Sequence, residues 1–134
     1  MPGPLRIDAM GRRMTRRKSA SLHSVYAEHF DDPKIRQRYA TQIAERLIAT
    51  RQALGLNQTQ LCRRAGILQS TWSNYEAAAR SARDRRDRMI NIIQLEWAFR
   101  LIDTFDLTLD WIYLGDASGL RHSLREKLPE HLIL

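Results

Sequence analysis

Residues 51–76 read RQALGLNQTQLCRRAGILQSTWSNYE, and this stretch contains the signals that decide the fold. Gly55 follows an apolar-periodic segment and suits the left-handed position that ends many helices. Asn57 is a typical helix N-cap, with Gln60 three residues on as in a capping box. Gly66 fits a tight turn that needs positive φ. The stretch therefore predicts a helix end, a short helix, a three-residue turn and a second short helix.

The second short helix, predicted over residues 69–77, has two chemically different sides. Trp72 and Tyr75 fall on its inward side. The outward side follows the i, i+1, i+4, i+5 spacing of one helical face and consists of Gln69, Ser70, Ser73 and Asn74. Such amides and hydroxyls can bond base edges, although an ordinary solvated face looks the same. The capped helix and the glycine turn before it favour a helix-turn-helix, whose second helix enters the major groove of DNA.

The stretch resembles the DNA-binding domain of lambdoid phage repressors and Cro proteins, the XRE-type helix-turn-helix family. LGLNQTQL at residues 54–61 is similar to the family's second helix, and GILQSTWSNYE at residues 66–76 to its turn and recognition helix. LTLDWIYLGD at residues 107–116 is similar to its closing helix. The resemblance covers roughly residues 43–116 and implies an all-α, lambda-repressor-like bundle of about five helices, with N- and C-terminal helical extensions.

The resemblance also implies roles for individual residues. Gln58, with Thr59 beside it, matches a position that contacts a backbone phosphate. Arg51 and Glu76 match a structural salt bridge between the first and third helices, and two solvated charges that merely happen to fit are the less favoured alternative. The base-reading positions of the family correspond to Gln69, Ser70, Ser73 and Asn74.

Two features depart from the family pattern. Leu68 stands where a Ser or Thr usually caps the recognition helix and touches a phosphate, so that cap and that contact are in question. After Glu76 the chain is about a dozen residues longer than the pattern before it reaches the closing helix, an insertion that a loop tolerates cheaply. Without a glycine stop, Ala77 to Ala79 are expected to extend the recognition helix by a turn.

Composition agrees with a nucleic-acid partner. The 134-residue chain is long enough for one domain with a core, its net charge is +7 and its pI is about 10.3. Such a balance suits an anionic partner, either nucleic acid or an acidic membrane surface. The sequence has no apolar run long enough to span a bilayer and no signal-peptide pattern. The single cysteine, Cys62, is expected to fill a buried site, and a cytoplasmic, nucleoid-associated protein is predicted.

The chain is predicted to have three parts. Residues 1–18 are rich in arginine and are expected to form a basic flexible arm, which either lies along DNA or is simply solvated. Residues 19–116 are predicted to be the helix-turn-helix domain, with an extra helix at its start and a further helix beginning at Asp32–Pro33. Residues 117–134 are predicted to be a helical tail.

Arginines cluster just after the predicted recognition helix. In the related fold the loop at this point lies near a phosphate strand, so these side chains are expected to add sequence-independent affinity. A solvated loop, partly neutralised by two aspartates, is the alternative. The expected phosphate-contacting residues of this cluster are Arg80, Arg83, Arg85 and Arg86, with Arg88 close by.

A strongly apolar segment, residues 89–105, is predicted to form a long helix with apolar side chains on more than one face. The surplus face is a candidate surface for a homodimer, and packing against the N-terminal helix is the competing interpretation. A Leu120, Leu124 and Leu128 stripe in the tail could add to a contact with a partner chain. A dimer would bind double-stranded DNA at an inverted repeat.

No pattern of an enzyme, a metal site or a bound cofactor is present in the sequence. The preferred function is a sequence-specific transcriptional regulator, with repression as the expected mode. Two alternatives stay open. One is an antitoxin or controller-type protein that binds both DNA and a protein partner, and the other is a protein-interaction module without DNA binding.

Overall fold

The computed structural model describes residues 32–80 and 91–134, and within these residues all regular structure is helical, with no strand. This confirms the predicted all-α class for the described part of the chain. By their internal contacts, residues 37–134 form one compact unit. The predicted basic arm 1–18 and the predicted helix that follows it lie outside the described residues.

The first helix, α1, spans Pro33–Ala53 without a break. It begins where the sequence predicts, because the Asp32 carboxylate accepts the N–H of Lys34 at 2.9 Å and proline occupies the first helical position. It ends at Ala53, and Gly55 follows two residues later with a φ of 73°, where the N–H of Leu56 bonds the carbonyl of residue 51 at 3.1 Å and closes the last turn.

Two short helices follow, α2 at Gln58–Ala65 and α3 at Gln69–Ala77. The predicted capping box of α2 is present, because the Asn57 side chain accepts the Gln60 N–H and the Gln60 side chain accepts the Asn57 N–H. Gly66 adopts a φ of 71° and ends α2, as its place in the sequence predicts. Ile67 in the connecting turn is buried and joins the core.

The end of α3 differs from the predicted extension through Ala79. The helix stops at Ala77, and the next three N–H groups bond carbonyls three residues back, as in a tightened turn. A tertiary contact accounts for the stop, since the Thr41 hydroxyl donates to the Ala78 carbonyl at 3.0 Å. Ala78 also packs against Ala40 of α1, and both side chains are 1% exposed.

The predicted long helix of residues 89–105 is shorter than expected. The fourth helix, α4, spans Leu95–Phe105, and residues 91–94 are not helical. Tertiary contacts hold this segment in its non-helical form, because Ile93 is 2% exposed and its carbonyl accepts the Tyr113 hydroxyl at 2.6 Å. Helical periodicity cannot distinguish a buried extended segment from a further helical turn.

The C-terminal part consists of a π-helix, Asp110–Leu114, a short α5, His122–Arg125, and a 3₁₀ turn, Glu130–Leu132. Trp111 of the π-helix is completely buried, and its indole N–H donates to the Thr50 hydroxyl at 2.9 Å. The expectation that the tail leucines pack on a partner chain is wrong. Three tail leucines are buried in the core of this chain: Leu120, Leu124 and Leu128.

Arg46 ties α1 to the π-helix from inside the protein. Its guanidinium donates to the carbonyls of Ile112 at 3.1 Å and Tyr113 at 3.0 Å, although the residue is only 7% exposed. Burial lowers the pKa of Arg46 from its usual value. The carbonyls near the C-terminal end of the π-helix thus have a cationic donor. A positive charge is favourable there because the helix dipole is negative at that end.

Replacing Gly66 with alanine is expected to destabilise the protein more than the same change at Gly55. Both glycines have φ near +70°, which costs an alanine about 1 kcal/mol. A Cβ at Gly66 would lie 2.8 Å from the Arg100 guanidinium, which would have to move and give up its hydrogen bond to the Gly66 carbonyl, whereas a Cβ at Gly55 meets nothing within 4 Å. The free energies of unfolding in urea test this ranking, and equal losses would show that Arg100 gives way without cost.

Candidate nucleic-acid interface

The polar face of α3 is turned to solvent. Gln69, Ser70 and Asn74 are exposed, and Ser73 is half-buried beside them. On the opposite side Trp72 and Tyr75 are 1% and 6% exposed. The structure therefore brings three of the four predicted base-reading residues to the surface and sets the fourth at the edge of the contact with α2. It places the two aromatic residues inward, as the sequence predicts.

One hydrogen bond joins the beginning of α2 to the beginning of α3 at the surface. The Thr59 hydroxyl donates to the Gln69 side-chain oxygen at 3.1 Å, and both residues are exposed. The two side chains were predicted to contact a phosphate and a base, respectively. Their contact places the predicted phosphate position directly beside the predicted base-reading position.

Gln58 lies between the two helices rather than pointing freely outward. Its side-chain nitrogen donates to the Glu76 carboxylate at 2.9 Å, and its oxygen accepts the Ser73 hydroxyl at 2.8 Å. The amide thus has two partners within the protein, one on each side. A phosphate contact by the Gln58 side chain stays a prediction.

Glu76 is the centre of a buried hydrogen-bond network. It is 4% exposed and forms a bidentate pair with Arg51, at 2.7 and 3.0 Å, so the ion pair predicted from the sequence is present. The Trp72 indole N–H also donates to this carboxylate. Arg51 further donates to the Leu56 carbonyl at 3.1 Å. The network connects α1, α2 and α3, and it fixes how the polar face of α3 is presented.

The doubtful cap of α3 is absent. Leu68 precedes the helix with no side-chain hydrogen bond to its first turn, and it is 66% exposed. An apolar side chain cannot replace the hydroxyl that the family pattern has at this position. Ile67, two residues before α3, is buried and belongs to the core.

Of the predicted arginine cluster, Arg80 lies at an exposed position just after α3. The others lie outside the described residues: Arg83, Arg85, Arg86 and Arg88.

Two arginines near the turn between α2 and α3 are not among the residues that the sequence predicts for the site. Arg63 is exposed one helical turn after Thr59, on the same side of α2. Arg100 of α4 donates to the Gly66 carbonyl at 3.2 Å, and its guanidinium lies 5.3 Å from the centre of the Trp97 ring. The i, i+4 spacing could have identified Arg63, whereas Arg100 is brought there only by tertiary packing.

Other types of site find no support in the described residues. They contain no group of three or more His, Cys, Asp or Glu side chains arranged to hold a metal ion. Cys62 is buried, and burial, with a smaller contribution from the charge of Glu76, raises the pKa of its thiol. A thiol in that state is a poor nucleophile and acts as a small core residue. Within residues 32–80 and 91–134 no helix has the length and apolar character needed to cross a membrane.

Comparisons with known protein families, with characterised proteins and with solved structures found no match to this chain.

Proposed function

We propose that this protein is a sequence-specific, double-stranded DNA-binding transcriptional regulator of the XRE helix-turn-helix type, acting in the cytoplasm as a repressor. In this proposal α2 and α3 are the helix-turn-helix of a lambda-repressor-like domain, and α3 enters the major groove. The observation that carries the proposal is the exposed polar face of α3, with Gln69, Ser70 and Asn74 on a helix whose other side is anchored in the core.

The anchoring of α3 supports specific rather than loose binding. Discrimination between bases requires side chains that are held in place before DNA arrives, because ordering them on binding costs free energy. The buried Glu76 pairs with Arg51 of α1 and Gln58 of α2, so α3 is fixed against two other helices. A helix held in this way can present Asn74 and Gln69 to base edges at a defined distance.

Sequence-independent affinity is expected from residues flanking the reading helix. Gln58 and Thr59 stand in the first turn of α2, where helical N–H groups favour a phosphate. Arg80 follows α3, and Arg63 lies on the exposed side of α2. Together with the net charge of +7 and the arginines of residues 83–88, these positions favour binding to a polyanion.

A homodimer that binds an inverted repeat is part of the proposal. One recognition helix reads only a few base pairs, which is too few for a specific site. On α4, Leu95 and Phe99 are 50% and 51% exposed and lie one turn apart. An antiparallel, two-fold packing of α4 would bury them and would bring Glu96 of one copy near Arg100 of the other.

Replacing both Leu95 and Phe99 with serine is therefore expected to weaken self-association by on the order of 100-fold, because two half-exposed apolar side chains per copy lose their burial. Analytical ultracentrifugation measures the dimer dissociation constant. Leu114→Ser is the matched control, since Leu114 is 63% exposed but lies on the π-helix. A wild-type protein that stays monomeric, or a control that weakens the dimer equally, would contradict the proposed α4 interface.

The exposed α4 pair also favours a second candidate, an antitoxin or controller-type protein whose α4 binds a different protein while α3 binds DNA. Co-purification of a stoichiometric partner that is lost in the Leu95 and Phe99 double variant distinguishes this role. A protein-interaction module without DNA binding is the remaining alternative. Titration of a labelled random duplex at increasing salt separates it from the other two, because only the DNA-binding proteins give an affinity that falls steeply with salt.

A further inference from the structure

The hydrogen-bond network around Glu76 fixes the direction of every bond in it. Arg51 and the Trp72 indole can only donate hydrogen bonds, and both bond the Glu76 carboxylate. The carboxylate is therefore an acceptor towards all its partners, including Gln58. This settles the orientation of the Gln58 amide, because only its NH₂ group can face an acceptor.

The orientation of Gln58 in turn determines what the Ser73 hydroxyl does. With its nitrogen 2.9 Å from Glu76, Gln58 presents its oxygen to Ser73 at 2.8 Å. An amide oxygen cannot donate, so the hydroxyl must donate to it. The single proton of Ser73 is thus used inside the protein, and the oxygen retains its acceptor lone pairs for a partner on the outer side of α3.

The other bridge between α2 and α3 has no such constraint. Thr59 and Gln69 are both exposed, and neither bonds a charged group in this contact. A hydroxyl can donate to an amide oxygen or accept from an amide NH₂, so this pair can reverse when a base approaches. Ser73 is different because the buried charge of Glu76 holds Gln58 in one orientation.

We propose that Ser73 acts as an obligate hydrogen-bond acceptor and selects a base that offers an amino group in the major groove. The candidates are the N6 amino group of adenine and the N4 amino group of cytosine, which are the donors that bases display there. Bases that present only acceptors at that point, guanine and thymine, are rejected. Ser73 is a specificity-determining residue, whereas Glu76 and Gln58 are positioning residues. The inference rests on the proposed insertion of α3 into the major groove.

The test uses the full-length chain and a duplex that the wild-type protein selects from random sequence. At each selected adenine or cytosine the amino group is removed in turn by a base analogue that lacks it. At one position, removal of the amino group should weaken binding by the wild type about five-fold, as for one lost hydrogen bond. The same removal should leave the affinity of Ser73→Ala unchanged, because this variant has no hydroxyl to bond the amino group. Gln58→Leu releases the Ser73 proton, which can then be donated to O6 of guanine or O4 of thymine, so the penalty for either base at the same position should shrink relative to the preferred base, whatever the change in overall affinity. Thermal unfolding checks that both variants fold.

The outcomes separate this inference from the proposed function. If the wild type selects a site but Ser73→Ala is as sensitive as the wild type to every analogue, then Ser73 reads no amino group and the inference is wrong. The same holds if Gln58→Leu rejects guanine and thymine at the Ser73-dependent position as strongly as the wild type does. If the wild type selects no sequence at all, the proposed function fails first and the inference falls with it.

Discussion

Replacing Glu76 with alanine is expected to destabilise the protein by about 3–5 kcal/mol, because it leaves a partly buried cation without its partner. The Arg51 side chain is only 16% exposed in the pair, and the Glu76 side chain is 5% exposed. The change also removes the acceptor for the part-buried Gln58 amide and for the buried Trp72 indole, and the indole donor then goes unsatisfied. Urea unfolding followed by circular dichroism measures the loss.

Two further variants test whether the loss of stability arises from the burial of the Arg51–Glu76 ion pair. Arg121→Ala breaks an exposed pair with Asp106, in which the side chains are 67% and 63% exposed, and should cost less than about 1 kcal/mol. The Arg51→Met and Glu76→Leu double variant should be more stable than either single variant, since no charge is left unpaired. A double-mutant cycle without coupling would show that the pair does not hold α1 to α3.

Replacing Asn74 or Gln69 with alanine is expected to lower affinity for the preferred duplex by roughly 1–3 kcal/mol each, the range for a good base contact. Affinity for random duplex DNA should barely change, because base contacts do not contribute there. Both side chains are exposed on α3, so neither substitution opens a cavity in the core. Fluorescence anisotropy on the selected and the random duplex gives both affinities.

Gln42→Ala is the matched control for these variants, since Gln42 is an exposed glutamine on α1. It should leave both affinities unchanged. Should Asn74→Ala lose as much on random DNA as on the selected duplex, Asn74 contributes to general binding only and does not read a base.

Features governed by local rules could be predicted from the sequence. Gly55 and Gly66 adopt positive φ, which glycine does at the lowest cost, and Asn57 with Gln60 forms a capping box within three residues of chain. The outward face of α3 follows directly from helical periodicity. The Arg51–Glu76 pair was predicted from the family resemblance rather than from spacing, and it is present.

Features that depend on tertiary packing could not be predicted. The bridge of Gln58 between Ser73 and Glu76 exists only because α2 crosses α3, and no sequence periodicity describes that crossing. The non-helical Ile93 has the same apolar signal as a helical residue. The spacing of the tail leucines is compatible with packing on a partner chain or in the chain's own core. Leu124 and the other tail leucines lie in the chain's own core.

The most direct test of the central claim is selection of bound sequences from a pool of random duplex DNA by the wild-type protein. The account predicts enrichment of an inverted repeat whose two half-sites are centred about 34 Å apart, one turn of DNA, or a multiple of that. It further predicts that the Gln69 and Asn74 alanine variants lose this enrichment while still retaining DNA. A pool that stays random in sequence after repeated rounds, although DNA is retained, would contradict the reading of bases by α3.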